Sequence, residues 1–388
     1  MAQAVKIKEG VYWVGAVDWT LRDFHGYTTE RGSSYNSYLI IDDKVTLIDS
    51  VKHYCIKEML ERIREIIDPS KIDYLVCNHV EMDHSGALPV LTELAPNAEI
   101  ICSPNGEKNL IAHYKKDWKF KVVKSGDTVS IGKRTLKFVL TPMVHWPDNM
   151  VTYCPEEKIL FSNDSFGQHL ASSQKFDDEF PLDIIIEEAK KYYANIVLPY
   201  GNQVKKALED LANIDISMIA PSHGVIWRSN ISTILGYYQK WSANITGKEA
   251  VIAFDTMWGS TEKIARAVMA AFEEKGYSYK LYDLKSSHIS DIITDVLTAK
   301  YICVGSPTLN SSMLPTVAGF LAYLKGLAPK NRHGMAFGSF GWGGQSIIAV
   351  ETWLHDCGFT MLPNISVKFI PDNDQLSAIT KNLVKQID

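Results

Sequence analysis

From Gly247 onward, strand-like and helical runs alternate. Strands read at 250–254, 278–283, 300–304, 334–338 and 366–370, with helices at 261–275, 289–297, 315–326 and 345–355 and one at the end. This rhythm restricts the fold more than any other feature. Successive strands joined through helices must run parallel, and the helices then cover both faces of the sheet. A doubly wound parallel sheet of about five strands is expected, with ligands beyond the carboxyl ends of its strands.

Three loops fall at such ends. The first is Thr256-Met257-Trp258-Gly259-Ser260-Thr261, between a buried strand and a helix. Backbone N–H groups at a helix start, with Ser and Thr hydroxyls, bind phosphate without a positive side chain. The others are Gly305-Ser306-Pro307-Thr308-Leu309-Asn310 and Gly338-Ser339-Phe340-Gly341-Trp342-Gly343-Gly344. The first turn has neither the lysine of a nucleotide-triphosphate loop nor a dinucleotide G-x-G-x-x-G. The set resembles the phosphate and ring loops of flavodoxins, which implies FMN, with Trp258 or Trp342 beside its ring.

The first half reads as short strands with few helices. Strands are expected at 10–15, at 37–41 and 45–49 (a hairpin), and at 73–77, 98–102, 120–123, 135–140, 150–154, 158–162 and 217–220. Helical periods cover 56–67, a start near 86–88, and 182–212. Polar donors follow these strands repeatedly. His79, Glu81, Asp83 and His84 crowd behind Tyr74–Cys77; His145, Asp164 and His223 each follow a later apolar run. So many donors on one short turn suit a metal pair better than one ion.

These donors resemble the metallo-β-lactamase pattern H-x-H-x-D-H, but here it is H-x-E-x-D-H. Glu81 in place of imidazole makes the site harder and more anionic, which favours non-haem iron over zinc. Nearly the whole chain resembles the flavodiiron proteins. That resemblance implies an α/β chain: a metallo-β-lactamase-like αββα sandwich over 1–246, then a flavodoxin-like domain over 247–388. It implies one iron on His79, Glu81 and His145, the other on Asp83 and His223, and Asp164 bridging; His84 is a ligand or is swung away. It also implies His25 and either Tyr192 or Tyr193 as pocket residues that donate protons or hydrogen bonds; Tyr193 is taken as the candidate. Asp49 is expected to fix a ligand histidine from behind. His169 is read as an exposed loop histidine, with an approach to the pocket as the alternative.

The implied activity is reduction of O2 to water, of NO to N2O, or of both, with electrons passing through FMN from a separate donor, rubredoxin or a reduced deazaflavin. A head-to-tail homodimer, or a tetramer, is implied too. The competing readings are a zinc hydrolase with an attached flavodoxin-like domain, and a non-catalytic electron carrier or gas sensor.

Bulk properties set the remaining bounds. The 388 residues admit two or three domains. A net charge of −5 with no long like-charge run gives no sign of nucleic-acid binding. No stretch of about 18 apolar residues and no apolar signal core appear, so a cytoplasmic protein with no membrane association is expected. None of the six cysteines is spaced C-x-x-C, which argues against a rubredoxin or zinc-ribbon module and for reduced core thiols.

Overall fold

The computed structural model describes residues 3–388. It forms two compact units. One gathers the chain through Phe24, Thr29–Tyr192 and Asn202–Gln239; the other takes His25–Thr28, Tyr193–Gly201 and Lys240–Asp388.

The first unit holds two sheets. One has seven strands, in the order Val5–Lys8, Val11–Trp13, Tyr38–Ile40, Thr46–Ile48, Tyr74–Val76, Glu99–Cys102 and Phe120–Val122. The other has five: Thr128–Ser130, Thr135–Leu140, Met150–Cys154, Ile159–Asn163 and Met218–Pro221. Strands such as Tyr38–Ile40 and Thr46–Ile48 are buried at every residue, because both faces are covered. Between the sheets, Trp13, Tyr38, Ile48 and Val76 pack with Phe138, Met150, Phe161 and Ala220. On the opposite face, Leu39, Leu47 and Leu75 meet Met59, Leu60 and Ile63 of the helix Ile56–Ile66. This is the αββα sandwich.

Two local readings change. The helix Pro104–Tyr114 was not expected from the sequence, yet its start is signalled. Ser103 accepts the Gly106 N–H at 2.9 Å, and Pro104 holds the first helical position. The helical stretch at 182–212 is broken. Leu182–Tyr192 is followed by a π turn at Tyr193–Val197 and a 3-10 turn at Leu198–Tyr200 before Gly201–Leu211. Pro199 lacks the N–H that a continuous helix needs.

The second unit is the parallel sheet. Ser278–Asp283, Glu249–Phe254, Tyr301–Gly305 and His333–Phe340 lie side by side in that order. The fifth position is shared: Thr360–Met361 pairs with one end of His333–Phe340 and Ile365–Lys368 with the other. Pro363 falls in the gap. The helix Ser260–Glu274 covers the sheet with Ile264, Val268 and Phe272 against Ile252, Cys303 and Phe337. All six cysteines are free and buried. Among the described residues no helix is long and apolar enough to cross a membrane.

Candidate metal centre and cofactor cleft

The polar cluster sits where strands of the first unit end. Ile159–Asn163 and Met218–Pro221 run parallel and adjacent, so Asp164 and His223 leave the sheet at the same edge. The run after Tyr74–Val76 turns directly into the short helix Met82–Ser85, which brings Asp83 and His84 beneath His79 and Glu81. Two sets of donors result. His79, Glu81, His145 and Asp164 form one; Asp83, His84 and His223 form the other; within each, the ligand atoms lie within 4.8 Å of one another.

Asp164 faces both. Its Oδ2 lies 3.3 Å from His145 Nε2 and 3.6 Å from His79 Nε2. Its Oδ1 lies 2.9 Å from His84 Nε2 and 3.4 Å from His223 Nε2. Glu81 Oε2 stands 3.2 Å from His79 and 3.3 Å from His145. Asp83 stands 3.3 Å from both His84 and His223.

Burial opposes charge on all four imidazoles, yet the carboxylates prevail. His79 is raised well above its ordinary value by Asp148, Glu81 and Asp164, and His84 is raised by Asp164 and Asp83. His145 is pushed to about 9 by Asp164 and Glu81, and His223 to about 10 by Asp164 and Asp83. Burial would lift Asp164, but His84, His145 and His223 hold it well below the usual carboxylate range. The centre of the cluster therefore favours positive charge. Among the described residues, none of the four carboxylate oxygens of Asp83 and Asp164 accepts a regular hydrogen bond, although all are buried. Convergent buried acceptors without donors, mixed with imidazole nitrogen, fit a pair of cations.

Outer contacts fix the donors. His79 Nδ1 lies 2.9 Å from Asp148 Oδ2, which also accepts the Val80 N–H at 2.7 Å. His223 Nδ1 lies 2.7 Å from the Ser34 carbonyl, which leaves Nε2 for the cluster. Asp148 was missed in the sequence, because nothing in the loop between Leu140 and Met150 marks it apart from an ordinary loop carboxylate. Asp49, expected behind a histidine, instead accepts the Asn78 N–H at 2.8 Å, Asn78 Nδ2 at 2.9 Å and Asn163 Nδ2 at 3.3 Å. It ties together the strand ends that carry His79 and Asp164.

The second unit carries a cleft of about 750 Å³ at the carboxyl ends of its strands, within the usual range for ligand sites. Its walls include Thr256, Met257, Trp258 and Ser260 from the first loop, Pro307, Thr308 and Asn310 from the second, and Ser339 to Gly343 from the third. Gly259 takes φ +83, a backbone that suits glycine, and its N–H donates to Thr256 Oγ1 at 3.0 Å. Thr261 is buried beside Ser339, so it props the loop from below rather than lining the cleft. Leu309 and Gly344 are likewise not in its walls. Ser311, Gln345, Phe369 and Ile370 are, and sequence reasoning missed them. Phe369 and Ile370 follow the last strand, whose loop carries no glycine signal.

Comparison with known proteins decides the family. Residues 34–224 match the ODP family beta lactamase and residues 252–380 match Flavodoxin. The chain is 45% identical to a nitric oxide reductase of Moorella thermoacetica, over 97% of this chain and 96% of that one. It is 44% identical to the rubredoxin-oxygen oxidoreductase of Megalodesulfovibrio gigas, over 99% of this chain and 98% of the relative. The solved flavodiiron protein of Giardia intestinalis superposes with a TM-score of 0.97 at 37% identity, covering 99% and 96% of the two chains. This chain belongs to the flavodiiron protein family.

Within this flavodiiron protein, the aromatic surroundings of the cluster differ from expectation. His169 is buried, not exposed; its ring centroid lies 4.7 Å from that of His223, and Nδ1 lies 2.6 Å from Ser33 Oγ. Tyr192 has its ring beside that of His223, at 5.9 Å. Phe24 and Tyr35 lie against the same imidazole at 6.2 and 5.7 Å. Tyr193 packs on Trp241 at 5.2 Å within the second unit, which also contains the exposed His25.

Proposed function

We propose that this chain is an oxidoreductase that reduces O2 to water, NO to N2O, or both, at a pair of irons, with electrons relayed by FMN. The observation that carries the reading is Asp164, whose two oxygens each face one of two donor sets, at 3.3 Å from His145 and 2.9 Å from His84. His79, Glu81 and His145 would hold one iron and Asp83, His84 and His223 the other, with Asp164 available to both. Two carboxylates among the donors of each set suit ferrous or ferric iron better than zinc. When bound, the irons supply electrons and Lewis acidity, and FMN supplies the electrons that replenish them.

The chain's own residues prepare that chemistry. Asp148 and the Ser34 carbonyl orient the two imidazoles that bracket the site. Phe24, Tyr35 and Tyr192 exclude water from the flank of His223. We assign His25 and Tyr193 to proton delivery, and the three glycine- and hydroxyl-rich loops to FMN. The boundary between the metal-binding and flavin-binding domains is set at 246/247, supported by family matches that flank it. Rubredoxin is the donor class, supported by the M. gigas relative's name; reduced deazaflavin is the alternative donor. A head-to-tail homodimer in the cytoplasm completes the proposal.

The names of the relatives favour gas reduction over the hydrolase reading. The test is anaerobic. Reduced protein is assayed for iron and FMN per chain, and uptake of O2 and NO is followed separately. Two irons, one FMN and rapid uptake of either gas are expected. Esterase or phosphodiesterase turnover with zinc, and no gas uptake, would return the hydrolase to first place.

A further inference from the structure

The first unit contains a groove and a hollow that share lining residues. An open groove of about 490 Å³ is lined by Ser125, Leu140, Pro142, Gln203 and Lys206, with Thr141 and Ala207 at its floor. Adjoining it is a narrow hollow of about 10 Å³, walled by Val144, Val151, Phe166, Val204, Leu208 and Leu211 together with Ser165 and Tyr238. Thr141 and Ala207 line both spaces, so the two meet at these residues. The inner wall is made by chain neighbours of the donors: Val144 precedes His145, and Ser165 follows Asp164.

We propose that the groove and hollow form the route by which an uncharged diatomic gas reaches the metal centre. The inference rests on the gas-reductase reading above. Three observations carry it. Seven of the ten residues that wall the hollow are apolar, the others being Thr141, Ser165 and Tyr238, so an ion is disfavoured there. Its size is near the lower limit of roughly 10–15 Å³ for one water-sized guest, and dry apolar cavities of proteins take up xenon and other apolar guests. At the junction, Thr141 Oγ1 is buried and bonds to nothing among the described residues. The backbone around it is fixed: the Thr141 N–H donates to Asn149 O at 2.9 Å, and the Val144 N–H to Thr141 O at 3.1 Å. Its hydroxyl lies where the groove and the hollow meet. At the mouth, Lys206 pairs with Asp210, so the groove presents no net charge there.

Ala207→Phe in the holoenzyme places a ring at this junction. Expected is a fall in kcat/KM for the gas of about fivefold or more, with iron, FMN and the rate of reduction by the donor unchanged. Ala207→Leu, a milder block, gives a smaller loss in the same direction and serves if the larger ring impairs folding. Crystals of the wild type under xenon pressure are expected to show xenon between Thr141 and Ala207, absent in the Phe variant. Wild type that consumes neither gas would sink the reductase reading, while the xenon arm still judges the cavity. An unchanged kcat/KM in both variants, or no xenon in the wild type, overturns the route.

Discussion

The two ligand sites of this chain are built on opposite principles. The metal centre is made of side chains that are almost wholly buried and held from behind by named partners such as Asp148 and the Ser34 carbonyl. The flavin cleft is made of loops; it lies open, and its largest rings, Trp258 and Trp342, are 91% and 96% exposed. A centre that must hold two cations close together needs fixed charges in a low-dielectric setting. A cleft that takes one phosphate and a flat ring can rely on backbone N–H groups and loop shape. Damage should therefore be specific in one site and graded in the other.

Asp164→Ala sharpens the contrast most. It removes the carboxylate whose two oxygens face both donor sets, so both irons are expected to be lost, and activity to fall beyond the roughly 100-fold typical of outer contacts. Metal analysis checks this; retention of either iron would break the bridging assignment. Asp148→Asn comes next. It leaves every donor in place but loosens His79, so iron affinity or activity is expected to drop by about 10–100-fold. Gly259→Ala strains a left-handed turn, at about 1–2 kcal/mol. FMN titration by fluorescence should show weaker binding by roughly tenfold, with metal content unaltered. Equal loss of iron in that variant would erase the distinction between the sites.

The smallest effect lies away from both. Burial raises the Glu188 carboxyl to about 7 despite Lys191 and Arg31, the latter 2.9 Å away. A carboxyl raised on folding favours the neutral form. The stability it lends is whole below the unfolded value near 4.5 and declines as pH rises to about 7. Glu188→Gln should narrow the difference in Tm between pH 5 and pH 8 by roughly 3 °C; an unaltered difference would mean the carboxyl is solvated.

This contrast also explains what the sequence made visible. His79, Glu81, Asp83, His145, Asp164 and His223 were legible because chemical type and position after a strand coincide. Strand-to-helix alternation made the parallel sheet legible, since it follows from local periodicity. Asp148 was not, because an orienting carboxylate has no motif of its own. His169 read as exposed because its surroundings come from Phe24, Ser33, Tyr192 and His223, all distant in sequence. Tyr192 and Tyr193 could not be told apart by spacing, because the helix that ends at Tyr192 gives way to a π turn beginning at Tyr193, so the helical period does not carry across the pair.

The buried cysteines have a chemical consequence for a protein that handles reactive gases. Burial pushes the thiols of Cys55, Cys102 and Cys154 to about 12 and that of Cys357 to about 11, and those of Cys77 and Cys303 up as well. At neutral pH the shift holds them as neutral thiols rather than as thiolate, the form that nitrosating species and peroxides attack. The folded chain thus keeps its own sulfur out of reach of the oxidants and NO-derived species formed around its substrates, and its thiols become vulnerable only when it unfolds.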